Sequence, residues 1–187
     1  MTGDDVIGAV LDALQAVQIP FMIVGSLATN FHGVPRSTRD ADFVVQLPPG
    51  AFSALRQRLA PPLRLDPQSR FEGITGTTRH LVEADGTAFT VELFELTDDP
   101  HDLARFERRQ QVRVFDRGAF VATAEDTIIT KLRWARQGGA GRAKDVGDAR
   151  NVIAVQGDSL DWSYIEDWCR QHGTLDVLQD VRRPAQP

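Results

Sequence analysis

Apolar positions Val6, Ile7, Val10, Leu11, Leu14 and Val17 recur at helical spacing, which predicts a first helix over residues 4–17. Pro20 ends it. Phe21-Met-Ile-Val24 is a short apolar run stopped by Gly25, the pattern of a buried strand. Ser26 then suits a helix N-cap, with a short helix over 27–31 that ends near Gly33. Residues 35–39 read as loop. Residues 40–46 alternate and then run apolar, a second strand with Ala41, Phe43 and Val45 on one face. A helix follows over 51–59. Residues 61–76 mix Pro, Gly and polar side chains and carry no clear period.

Strands are predicted over 80–83 and 87–96, joined at Ala84-Asp85-Gly86, then a helix from Asp99-Pro100 to about Arg108. A second strand pair, 111–115 and 119–122, turns around Asp116-Arg-Gly118. From Thr123 the pattern is helical. Thr123-Ala-Glu-Asp126 resembles a capping box, and Ile128, Ile129, Leu132 and Trp134 follow. Gly138-Gly-Ala-Gly141 breaks the pattern as a helix end and hinge; it lacks the Lys-Ser/Thr of a phosphate loop. Further helices fit 143–155, 161–171 and 175–181. Trp162, Ile165, Trp168 and Cys169 repeat at helical spacing as core positions. The expected fold class is α+β: a small mixed-sheet domain over 1–122, then a helical C-terminal region over 123–183. The tail, 184–187, should be disordered.

Composition changes this picture little. The chain has 187 residues, 42% hydrophobic and 25% charged, as a globular protein does. No apolar run reaches the length of a membrane span, and the acidic start is unlike a secretory signal, so a cytoplasmic location is expected. A single cysteine, Cys169, excludes an intrachain disulfide and a cysteine metal cluster. His32, His80, His101 and His172 show no metal-like spacing. The net charge of -5 disfavours non-specific nucleic-acid binding. Residues 101–150, however, hold 11 Lys/Arg against 7 Asp/Glu and could meet phosphates locally, or simply form solvated helix faces.

The informative chemistry is Val24-Gly-Ser26 followed by Arg36-Ser-Thr-Arg-Asp40-Ala-Asp42. Alternation puts the Asp40 and Asp42 carboxylates on one face of a strand. Two like charges so placed favour a neutralising cation, and oxygen-only donors suit Mg²⁺ or Mn²⁺. Gly25 lets a phosphate approach the backbone, and the helix start at Ser26 offers unpaired N–H groups to it. Arg36 and Arg39 lie between these motifs, where they could contact a triphosphate. Taken singly, a Gly-Ser is usually a helix cap and an Asp-x-Asp usually a solvated strand edge. Their order and strand–turn–helix–loop–strand setting are what make them a candidate site.

This segment resembles the signature of the polymerase-β-like nucleotidyltransferase superfamily, and the Arg-Ser-Thr ahead of the acids is similar to the abortive-infection AbiE-type toxins, which include the MenT toxins. The resemblance spans about residues 20–155. It implies a nucleotidyltransferase domain using an NTP and Mg²⁺ (or Mn²⁺), and a third acid on a later strand. Glu92 is the first candidate, on the face opposite Phe89, Val91 and Leu93; Glu95, on the packed face, is the second. The resemblance continues at Lys131 and at Lys144-Asp145-Val-Gly-Asp148. It implies that Lys131 binds the triphosphate and that Lys144, Asp145 and Asp148 build or brace a nucleotide cleft completed by the helical region. Asp145 and Asp148 can equally form helix-face salt bridges with Lys144 or Arg142.

The implied reaction is transfer of NMP to an acceptor hydroxyl, with RNA or a tRNA 3′ end as acceptor and a cognate antitoxin as partner. Other readings share the fold: an aminoglycoside-type nucleotidyltransferase, whose polycationic acceptor suits an acidic protein; an AMP-transferring antitoxin; and a non-catalytic binding domain.

Overall fold

A computed structural model describes residues 1–59, 61–73, 76–137 and 142–183. The glycine-rich break expected at 138–141 and the tail expected at 184–187 lie outside the described residues. The described chain forms two units. One comprises residues 1–27 and 37–122; the other comprises 28–36 and 123–187.

The first unit is built on an eight-stranded mixed sheet. Helix α1 (Gly3–Ala16) leads in, capped by Thr2, whose hydroxyl accepts from Asp5 N–H while the Asp5 carboxylate accepts from Thr2 N–H. The reciprocal pair satisfies two otherwise orphaned donors. Val6, Val10, Leu11 and Leu14 of α1 are fully buried, as their spacing predicts. Next come β1 (Phe21–Val24), α2 (Gly25–His32), β2 (Asp40–Val45) and α3 (Ala51–Arg58). The unpatterned stretch yields two three-residue strands, β3 (Leu63–Leu65) and β4 (Arg70–Glu72). Both pair with β5 (Thr77–Ala84), which precedes β6 (Thr90–Glu95). Helix α4 (Pro100–Glu107), capped by Asp99, then leads to β7 (Gln110–Val114) and β8 (Arg117–Val121).

The strand order is β3-β5-β6-β2-β1-β8-β7, with β4 also on β5. β2 runs antiparallel to β1 and parallel to β6. The β7–β8 turn falls at Phe115-Asp116, one residue earlier than its Gly118 suggested. Both turn residues have positive φ, 47° and 61°, and a two-residue turn of that kind matches the twist of the flanking strands. Gly118 instead lies within β8, where its carbonyl accepts from the Gln15 side chain.

The two faces of β2 differ in character along the strand. One face is apolar throughout, with Ala41, Phe43 and Val45 at 0% exposure. The other begins with Asp40 and Asp42 and turns apolar at Val44, which packs with Met22, Val24, Ala122 and Phe106 of α4. β6 does the same: Glu92 precedes Phe94, which lies against that cluster. The carboxylates therefore sit beyond the end of an apolar patch.

The second unit is helical: residues 28–36, then α5 (Ala124–Gln137), α6 (Arg142–Gln156), α7 (Trp162–Gln171) and α8 (Leu175–Arg182). Thr123 Oγ1 accepts from Asp126 N–H and donates to the Asp126 carboxylate, closing the start of α5. Ile128, Ile129 and Leu132 of α5, Val152 of α6 and Ile165 and Cys169 of α7 are all at 0% exposure in one core. Each large aliphatic chain so buried contributes about 1.5–3 kcal/mol relative to exposure. Trp162 and Trp168, expected as core, are only partly buried against it. Among the described residues, no helix is long and apolar enough to cross a membrane.

Candidate active site

The parallel pairing of β2 and β6 puts Asp42 in register with Glu92, and Asp40 with Thr90. Paired residues on neighbouring strands share a face, so Asp40, Asp42 and Glu92 project from the same side of the sheet. On β1, Val24 pairs with Asp42, and the chain then turns into α2 at Gly25.

That turn is closely fitted. Gly25 has φ +61°, and a Cβ placed on it would lie 2.0 Å from Asp42 Oδ2 and 2.8 Å from Asp42 Cγ. Only glycine permits the carboxylate to rest there. Ser26, one residue on, is buried at 4% exposure in the first turn of α2. Asp40 is half-buried, and Thr38 Oγ1 donates to its Oδ1 at 2.6 Å. Arg39 is exposed; its carbonyl accepts from Thr90 N–H at 3.3 Å, tying the loop to β6.

Glu92 is held by Arg79 of β5, whose Nη1 donates to Oε1 at 3.0 Å and Oε2 at 2.9 Å. Glu95 lies on the opposite face, where its Oε1 is 2.7 Å from His80 Nε2. Of the two candidates for third acid, the register brings only Glu92 beside Asp42. Among the described residues, no group of three or more His, Cys, Asp or Glu side chains stands ready to hold a metal ion. Asp40 and Asp42 fit a hard divalent cation by donor chemistry, being oxygen-only and on one face. Glu92, in register beside Asp42, shares its charge with Arg79.

In the helical unit, Lys131 Nζ lies 2.9 Å from both Asp145 Oδ1 and Asp148 Oδ2. Asp148 is also gripped by Arg36 through two 2.9 Å bonds, from Nε to Oδ1 and from Nη2 to Oδ2. Asn30 holds the backbone of Arg36 at both ends, accepting from its N–H at 3.0 Å and donating to its carbonyl at 2.7 Å. Burial by itself would push the Lys131 ammonium down, but the Asp145 charge and the bonds to both carboxylates hold it above its ordinary value. Burial likewise raises Asp148, and the bonds from Arg36 and Lys131 outweigh it, so its pKa is lowered. Lys144 is exposed.

Sequence reasoning missed Arg79, Thr38 and Asn30. Arg79 lies one residue before the strand predicted at His80, and its place on the Glu92 face follows from the β5–β6 register. The Arg36–Asp148 pair joins residues 112 apart and leaves no local signal.

The fold, a mixed sheet followed by C-terminal helices, is nucleotidyltransferase-like. One solved structure similar to it is that of the antibiotic-resistance factor ANT(2'')-Ia in solution, with TM-score 0.64 and 14% identity over 95% of this chain and 94% of that one. The same factor in complex with adenylyl-2''-tobramycin gives TM-score 0.62 and 15% identity over 94% and 99%. An antigenic nucleotidyltransferase-like protein from Paracoccidioides brasiliensis gives 0.56 and 15% over 96% and 92%. No protein-family model matches the chain, and no curated protein matches it.

Proposed function

We propose that the chain transfers a nucleoside monophosphate from an NTP to an acceptor hydroxyl. The observation that carries this reading is the arrangement of Asp40, Asp42 and Glu92 on one sheet face, with Gly25 pressed against Asp42. A divalent cation, Mg²⁺ or Mn²⁺, would be held by Asp40 and Asp42 and would offset their charge and that of the triphosphate. Gly25 and Ser26 receive the β- and γ-phosphates, and Arg39 neutralises charge on the departing pyrophosphate. Glu92 takes the proton of the attacking hydroxyl. The new bond joins the acceptor oxygen to the α-phosphorus as the bond to pyrophosphate breaks.

Lys131, Asp145, Asp148 and Arg36 brace the helical unit in this reading, which their mutual ion pairs support. Lys144, exposed, is left to meet phosphate. The stretch from Arg36 to Asp42 supports the finer assignment to the AbiE-type toxins, with RNA as acceptor, an antitoxin as partner and a cytoplasmic setting. A second reading keeps the chemistry and gives it an aminoglycoside acceptor. The fold likeness to ANT(2'')-Ia and the net charge of -5 favour it.

The test is label transfer from each α-labelled NTP to total tRNA, aminoglycosides and a cell lysate, with Asp40→Ala as control. Label reaching one acceptor class and lost in the control supports the reading. Equal transfer by the control would sink the metal-site assignment, and NTP binding without any transfer would favour a non-catalytic domain.

A further inference from the structure

Across the site face, the strands run β1, β2, β6, β5 and then β4 at the margin. Outward from Glu92, the same face of β5 carries Glu83, which pairs with Arg64 of β3, and Arg79, which faces β4. Arg79 of β5 and Arg70 of β4 are directly opposed in the antiparallel pairing, so both guanidinium groups leave the sheet on the same side. Like charges directly opposite each other destabilise a sheet unless an anion lies between them. Glu92 supplies one anion, but only to Arg79 Nη1. A guanidinium has five N–H donors, and those on Arg79 Nε and Nη2 remain for another acceptor. Arg70 is exposed and has no ion pair among the described residues. The nearest carboxylate on its own strand and face is Glu72.

We infer that Arg79 and Arg70 form an anion-binding subsite for the acceptor, so that the hydroxyl taking the nucleotide belongs to a molecule carrying phosphate close by. The inference rests on the transfer reaction proposed above. Distance separates this subsite from the NTP phosphates. Neighbouring strands lie about 4.8 Å apart, so β5 is roughly 14 Å and β4 roughly 19 Å from the β1 turn at Gly25-Ser26. The triphosphate held at that turn does not reach both arginines. Glu92, between the two, is placed to take the proton from a hydroxyl whose phosphate the arginines hold. A paired guanidinium is suited to a phosphate oxygen and repels a polycation. A phosphate of this kind could come from the end of a polynucleotide or from a small sugar phosphate.

The experiment is a fluorescence-anisotropy titration of the full chain with an end-labelled single-stranded oligoribonucleotide, without NTP. Ribose 5-phosphate and tobramycin are added as competitors. Arg70→Gln, with no ion pair to lose, is measured alone and with Arg79→Gln; Arg113→Gln, on exposed β7, controls for general charge. The expected result is binding weakened about tenfold in the double variant, weakened measurably by Arg70→Gln, and unchanged by Arg113→Gln. Displacement by ribose 5-phosphate at millimolar concentration would mark a small phosphate as sufficient; resistance to it would mark a polynucleotide. Wild-type-like binding by the double variant, or equal weakening by Arg113→Gln, overturns the inference, as does failure of the wild type to bind. Failure of NTP label transfer, with this binding pattern intact, would remove the proposed reaction and leave the subsite standing.

Discussion

The Cα of Gly25 lies so close beneath the Asp42 carboxylate that a methyl group on the glycine would stand 2.0 Å from Oδ2. The turn after β1 and the second acid of β2 are thus fitted to each other. Gly25→Ala is expected to displace Asp42 and to strain a backbone held at φ +61°, a cost of about 1 kcal/mol from the dihedral alone. Nucleotidyl transfer should fall at least 100-fold. Activity near wild type, measured beside a thermal melt, would show that Asp42 need not occupy this position.

Glu92 and Glu95 differ by three residues and face opposite sides of the sheet. Glu92→Gln should lower kcat by about 10²-fold or more, the usual worth of a positioned proton acceptor. Glu95→Gln breaks the contact with His80 and should leave kcat within about threefold while lowering stability slightly. Steady-state kinetics of the pair decide it; the reverse pattern would move the third acid to the other face.

Lys131 Nζ bridges Asp145 and Asp148, with its own side chain 10% exposed and Asp148 only 3%, while Arg36 holds Asp148 from the other side. Removing Lys131 leaves Asp145 without this ammonium and Asp148 with Arg36 alone, at about 3 kcal/mol. Lys131→Met should therefore lower the melting temperature by roughly 10 °C in a chain of this size. A melt within 2 °C of wild type would assign the lysine to substrate contact and not to bracing.

The same cluster sets a pH dependence. Asp148 has its pKa lowered by Arg36 and Lys131 against the effect of burial, so its contribution is present above its ordinary value of 3.8 and is lost as pH falls through the lower folded value. Lys131 is raised, so its contribution is full below 10.5 and is lost as pH rises through the higher folded value. Stability should be flat between these limits as far as this pair is concerned. In Asp148→Asn the acid-side loss should shrink; denaturant melts from pH 2 to 6 would show whether it does.

Much of the site was legible because it is local. Alternation in β2 fixes the shared face of Asp40 and Asp42, and alternation in β6 separates Glu92 from Val91 and Leu93. The helical core followed from spacing, as at Ile165 and Cys169. What failed was short or distant. Three residues of β3 or β4 are too few to carry a period, and Pro61 and Gly76 masked them further. The turn at Phe115-Asp116 was drawn to Gly118 because positive φ is expected of glycine. The Arg36–Asp148 grip and the Arg79–Glu92 contact depend on pairings that only the folded chain makes.

The helical unit is not a continuous length of polypeptide, since it takes residues 28–36 from between β1 and β2. Thr29 and His32 in that stretch are buried; the His32 carbonyl accepts from the Gln156 side chain, and Gly33 lies against the backbone of Asn151 and Val152. A cut after Ala122 would leave these groups stripped and the separated helices short of part of their own interior. Recombination therefore cannot exchange the C-terminal half as a cassette. Any transplant must carry the stretch before the acids with it, and so must inherit the approach to Asp40 from the same parent.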